Sequence, residues 1–244
     1  MSRIIVTTCG TSLFETTCWE SLNDSPLHCT EEKDKIDIKS GCEEKIKKIM
    51  QNDNDGSKLA SEFVDSCWNS SLLIDMPAEI ASLKALTIAL SKQDPPVDLG
   101  EGDKIILLHS ISTDGLYCAR VIKNVIKNKL FKDIEIEMYP KNLDPTDKDE
   151  LLKSLEEIWT DFYKKLTNSK FSRYILNLTG GYKITSMILS SLSVILCEYP
   201  VTVIYLHEET PEDQLFGFYW DNNELKLGYI TLNRESHSPI RLPL

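Results

Sequence analysis

The sequence predicts an α/β fold: a Rossmann-like three-layer domain with a mainly parallel sheet, a polar helical insertion after the first strand and a C-terminal β-hairpin. Three observations predict it. Short aliphatic or β-branched runs alternate with stretches whose apolar residues recur at helical spacing. The runs Ile4–Thr8, Lys104–His109, Tyr174–Leu178 and Val201–Leu206 are too short for helices and nearly continuous in apolar character, as strands covered on both faces are. Glycine or small polar residues follow the first three runs, where a strand must turn into a helix.

Each element has its own warrant. Ile4-Ile5-Val6-Thr7-Thr8 is a buried first strand ended by Gly10. Residues 19–71 are rich in lysine and acids, with weak helices at Glu43–Met50 and Lys58–Cys67 around the breaker Asn52-Asp53-Asn54-Asp55-Gly56. They form a polar insertion or flap. After Pro77, Ile80, Leu83, Leu86 and Leu90 recur as one helical face, with Glu79 in the first turn, where the helix dipole favours an acid. The strand Lys104–His109 leads to a helix carrying Ala119, Ile122, Ile126 and Leu130 on one side. Ile134–Met138 alternates as a more exposed strand. Asp144 or Thr146 caps a helix with the stripe Leu151, Leu155, Ile158, Phe162 and Leu166. Tyr174–Leu178 is followed by Thr179-Gly180-Gly181 and a nearly all-apolar helix, Tyr182–Cys197, whose apolar face belongs to the core. Val201–Leu206 closes the unit. Phe216–Trp220 and Leu225–Ile230 flank Asp221-Asn222-Asn223 as a hairpin.

Composition sets the outer limits. With 41% hydrophobic and 27% charged residues, the chain is ordinary globular protein. It reads as one domain over 1–244, with 207–244 as hairpin and tail. No apolar run reaches the roughly 18–20 residues that span a bilayer, and no signal peptide opens the chain, so no membrane partner and a cytoplasmic location are expected. Seven scattered cysteines and four separated histidines form neither a disulfide framework nor a metal site. A net charge of −11 argues against gripping long nucleic acid by its phosphates, but leaves room for a small anion held by a few amides and one cation.

In a right-handed parallel sheet the loops after the strands share one edge, where such folds bind ligands. Three loops there carry candidate groups: Cys9-Gly10-Thr11-Ser12-Leu13, Ser112-Thr113-Asp114-Gly115, and Thr179-Gly180-Gly181-Tyr182-Lys183. Gly10, Gly180 and Gly181 permit close backbone approach. Lys183 falls in the first turn of a helix, where a cation is disfavoured by about 0.3–1 kcal/mol unless an anion sits there too. Taken singly, each loop is an ordinary strand–turn–helix junction. Ser12 serves equally as a helix cap, Lys183 as a solvent-facing chain, Cys9 as small packing, and His109 and His207 as strand-end residues. No dinucleotide or Walker pattern is present, so no cofactor is predicted.

At these loops the chain resembles a known family, the CRISPR-associated Rossmann fold (CARF) domains of type III CRISPR systems, close to the stand-alone group that includes ring nucleases. The matching pieces are Thr7–Leu13, Pro77-Ala78-Glu79-Ile80-Ala81-Ser82-Leu83, Ser112–Gly115, Asn177–Lys183 and the ending Ile240–Leu244. The resemblance implies a homodimer that binds a cyclic oligoadenylate, most often the tetramer, across its two-fold axis. It also implies that Ser12 and Lys183 serve metal-independent cleavage of the ring to linear products ending in 2′,3′-cyclic phosphate. The alternative is a non-catalytic sensor or sequestering module that signals to a partner. The Arg-x-x-x-x-His signature of an appended HEPN ribonuclease is absent after the sheet, and the segment beyond Leu206 is expected to be too short for a second catalytic module.

Overall fold

The computed structural model describes residues 2–10, 13, 47–68, 73, 76–93, 95–131, 133–168, 171–206, 214–222, 224–232, 242 and 244. Seven strands form one sheet: β1 Arg3–Cys9, β2 Lys104–Ser110, β3 Glu135–Lys141, β4 Arg173–Asn177, β5 Val201–Leu206, β6 Gln214–Asp221 and β7 Glu224–Thr231. Their order is β3-β2-β1-β4-β5-β6-β7. Strands β1 to β5 are parallel, and β6 and β7 return antiparallel. The helices are α1 Ser57–Cys67, α2 Ala78–Ser91, α3 Thr113–Val125, α4 Lys148–Asn168 and α5 Lys183–Ile195. The predicted Rossmann-like α/β fold is therefore the one observed.

Side-chain alternation along the strands separates two apolar layers. Ile5, Ile105, Leu107, Ile175 and Ile204 face α1, α2 and α3. Ile4, Val6, Ile106, Leu108, Tyr174, Leu176, Val201 and Val203 face α4 and α5. Every residue of β1 is buried, Arg3 included. Its guanidinium reaches the equally buried Asp103 at 2.9 Å, and Asp103 also accepts the Arg3 backbone N–H at 2.7 Å. The central strand is thus anchored by a paired and hydrogen-bonded ion at the end opposite the turn-bearing edge.

Two expectations are revised. Of the polar stretch 19–71 the structure describes 47–68, and the helix α1 within it is no flap. Leu59, Ala60, Phe63, Val64 and Cys67 lie in the first apolar layer. Gly56, at φ +72°, packs so closely that a Cβ would come within 2.8 Å of Val121. Asp53 starts the helix by accepting the Lys58 and Leu59 N–H groups at 3.0 and 2.9 Å, and the buried Tyr117 hydroxyl at 3.1 Å. The abundance of charge hides a short apolar stripe at helical spacing. Residues 19–46 lie outside the described residues.

The cap of α4 is Asp147, which accepts the Glu150 N–H at 3.2 Å. Asp144 instead closes the preceding turn, accepting both the N–H and the hydroxyl of Thr146. Helix α5 puts an apolar face into the core, as expected, and leaves a second apolar stripe bare. Thr185, Leu189, Leu192 and Ser193 are buried, but Ile184, Met187, Val194 and Ile195 are exposed. Among the described residues no helix is long and apolar enough to cross a membrane.

Candidate functional site

Strand β1 is where the winding reverses. The chain passes from β1 to β2 and β3 on one side, then crosses to β4 and β5 on the other. Crevices at such a switch point, beyond the strand C-termini, are where open α/β sheets take ligands. The loops after β1, β2 and β4 consequently sit side by side.

The first and third loops interlock. Gly181 adopts φ +81°, and a Cβ there would meet the Thr8 Cβ at 2.8 Å. The Thr8 hydroxyl donates to the Gly180 carbonyl. A Cβ on Gly10 would stand 3.1 Å from the Gly181 Cα. Beneath them runs a buried polar ladder. Asn177 donates from Nδ2 to Ser82 Oγ at 2.8 Å, and Thr179 donates to Asn177 Oδ1 at 2.9 Å while accepting the Leu206 N–H. The second loop is built around a cap. Ser112 Oγ accepts the Gly115 N–H, Ser110 Oγ accepts the Ser112 N–H, and Gly115 has no room for a side chain against Ser110. Tyr182 links this loop to the third one. Its hydroxyl engages the Ser110 side chain, and burial, reinforced by the Asp114 and Asp144 carboxylates, pushes its pKa up.

Three helices, α2, α3 and α5, begin at this edge, and the N-terminus of each favours negative charge. The first turn of α2 holds Glu79, and that of α3 holds Asp114 below the Ser112 cap. Helix α5 has no capping side chain and no acid in its first turn, and its first residue is the exposed Lys183. No ion pair reaches Lys183 among the described residues. Positive potential is therefore left open at this one terminus.

The structure sorts the candidates accordingly. Gly180, Gly181, Tyr182 and Lys183 come together with Gly10, and Ser112, Asp114 and Gly115 lie across from them. Thr113 is exposed beside them. Cys9 and Leu13 point into the first apolar layer. Burial, and then the Glu79 charge, raises the Cys9 thiol well above its ordinary pKa, which keeps it protonated in the core. Thr11 and Ser12 lie outside the described residues, as does His207. His109 is buried, with Nδ1 2.8 Å from the Ser110 carbonyl, and burial lowers its pKa.

One residue was not singled out for the site from sequence. Glu79 is fully buried, and its Oε1 accepts the Gly10 N–H at 2.6 Å. A Cβ on Gly180 would lie 2.6 Å from the same oxygen. The close approach that the glycine pair permits is thus made by the protein's own carboxylate. The available signal was an acid set among Ala78, Ile80, Ala81 and Leu83, in a helix otherwise made for the interior.

A protein-family model described as CRISPR-associated protein (Cas_APE2256) matches residues 75–213, more than half of the chain. The matched span takes in Glu79 and the loops after β2 and β4. No curated protein matches the chain significantly.

Proposed function

This chain belongs to a family of CRISPR-associated proteins, Cas_APE2256, and from that premise we propose that it acts as a CARF-type receptor. It binds a cyclic oligoadenylate, cyclic tetra-adenylate foremost, as a homodimer, and slowly opens the ring without a metal to switch off type III CRISPR signalling. The observation that carries the reading is the open N-terminus of α5, with Lys183 at its head, at the switch point of the sheet. Helix amides and one ammonium suit a phosphodiester. The overall charge of −11 disfavours a long polyanion in the same place. A ring of four adenylates has two-fold symmetry, so a symmetric dimer presents the same groups to both halves.

Cleavage needs little from the protein beyond placement. A ribose 2′-oxygen attacks the adjacent phosphorus, the bond to the 5′-oxygen breaks, and a 2′,3′-cyclic phosphate remains. The 2′-proton passes to water and the departing 5′-oxygen takes a proton from water. Lys183 stabilises the charge on the phosphorane, while Ser12 and the glycine loop hold the phosphate in line. The second reading, a non-catalytic sensor, uses the same site. It is favoured by the burial of His109, which keeps that imidazole from exchanging protons with a ligand.

The test uses protein in excess over labelled cyclic tri-, tetra- and hexa-adenylate, in EDTA, with products resolved by chromatography over an hour. Linear products ending in 2′,3′-cyclic phosphate are expected, and a strict need for a divalent metal overturns the mechanism. Tight binding with an intact ring selects the sensor. Lys183→Ala should weaken binding by roughly 2–5-fold, the worth of an exposed charge contact, and Ser12→Ala should reduce cleavage more than binding. Unchanged binding in Lys183→Ala removes the α5 terminus from the reading.

A further inference from the structure

The edge that offers positive potential at α5 holds a buried carboxylate directly behind it. Glu79 is fully buried at the start of α2. Its Oε1 is 2.6 Å from the Gly10 nitrogen and would be 2.6 Å from a Cβ on Gly180. A Cβ on Gly10 would be 3.6 Å from that oxygen and 3.1 Å from the Gly181 Cα. The carboxylate therefore lies directly against Gly10 and Gly180, the backbone of the first and third loops. The α2 dipole and the Gly10 amide both favour its ionised form. The Cys9 thiol, on the strand beside it, is raised partly by this charge. The geometry of Gly180 follows from the same contact, since any side chain there would displace the carboxylate.

We infer that Glu79 decides which class of phosphate the crevice accepts, admitting the singly charged phosphodiester and disfavouring the doubly charged terminal phosphomonoester. The inference rests on the phosphate-binding reading above. A diester carries one negative charge at neutral pH, and a monoester carries about 1.5 to 2. Repulsion from a fixed charge scales with the charge of the ligand and is strong where water is excluded, as it is around the fully buried Glu79. Attraction to Lys183 also scales with ligand charge, but that side chain is exposed, so solvent and salt screen it. The balance shifts against the monoester. A closed ring has diesters only, whereas mononucleotides and 5′-phosphorylated linear chains end in a monoester, and nucleoside triphosphates in an anhydride-linked phosphate of similar charge. Glu79 thereby acts as a specificity-determining residue that lets a scarce ring compete with abundant free nucleotides.

The experiment measures dissociation constants of the full chain for cyclic tetra-adenylate and for three linear tetra-adenylates. These end in a 5′-hydroxyl, a 5′-phosphate or a 5′-(methyl phosphate), the last being a diester of nearly the same size. The wild type should bind the 5′-phosphate chain about tenfold more weakly than the 5′-hydroxyl chain. Methylation should restore most of that loss. Glu79→Gln should narrow the gap to less than about threefold while still binding the ring. A gap that survives in Glu79→Gln overturns the inference. So does a wild-type gap that methylation leaves in place, which would mark the cause as steric, and this arm decides the matter if Glu79→Gln fails to fold. Failure of the wild type to bind any of the four ligands overturns the phosphate-binding reading itself.

Discussion

At Gly180 the cost of a single methyl group can be read from the surroundings. An added Cβ would fall 2.6 to 2.8 Å from three atoms of the fully buried Glu79 side chain. Gly180→Ala should lower the unfolding free energy by about 1–3 kcal/mol, measured by urea denaturation. Gly100→Ala, with nothing within 4 Å of the new Cβ, should stay within about 0.5 kcal/mol of wild type. Equal effects at both positions would contradict the packing described at the strand ends. Residues also differ in how far sequence betrays their role. Lys183 stands out because a cation opening a helix conflicts with the dipole. Glu79 does not, because an acid there is what any helix start prefers. The Thr179 hydroxyl reads as a ligand donor, but it donates to Asn177 and accepts from Leu206. A sequence shows which groups are polar, and only the fold shows which are already satisfied.

Among the elements, α5 departs most from its pattern. Its apolar face was expected in the core, and one stripe does pack on the sheet and α4, yet Met187 is 71% and Ile195 56% exposed. The pattern identifies what the helix wants covered, not whether this chain alone covers it. On the homodimer proposed above, a second copy would cover the stripe, which begins at Ile184, next to Lys183. Met187→Glu should then shift the protein from dimer to the 27.8 kDa monomer in sedimentation at micromolar concentration, with little change in melting temperature. An unaltered dimer would place the contact elsewhere. Helix α1 errs in the opposite sense, since its charged residues mask Ala60, Phe63, Val64 and Cys67 on one buried face. Strands β1, β2, β4 and β5 were legible to within a residue, because both of their faces are buried and no polar side dilutes the signal, whereas the half-exposed β3, read as Ile134–Met138, runs Glu135–Lys141.

Across the whole molecule, pH should act on stability in two steps. His109 has its pKa lowered from 6.5, first by burial and further by the Arg120 charge. Its neutral form is the folded one, so its contribution is complete above about 6.5 and is lost as pH falls through the depressed value. Glu137, held below 4.5 by Lys104 and Lys165 despite its burial, adds a second loss at lower pH. Melting temperatures from pH 8 to 4 should be level at first and decline below about 6.5, and His109→Gln should remove the upper decline. A wild-type profile that is flat down to pH 5 would show that the imidazole is not held neutral. The strand order has a different consequence, one in time. Strand β1 pairs with β2 on one edge and on the other with Arg173–Asn177, far along the chain. A ribosome adding roughly 5–20 residues per second leaves that second edge bare for on the order of ten to thirty seconds. The innermost strand of the finished sheet therefore begins as an outermost one, and the Thr8–Gly180 clasp can close only after β4 has emerged. During that interval Arg3–Cys9 is the stretch most open to chaperones and to mispairing with another nascent chain.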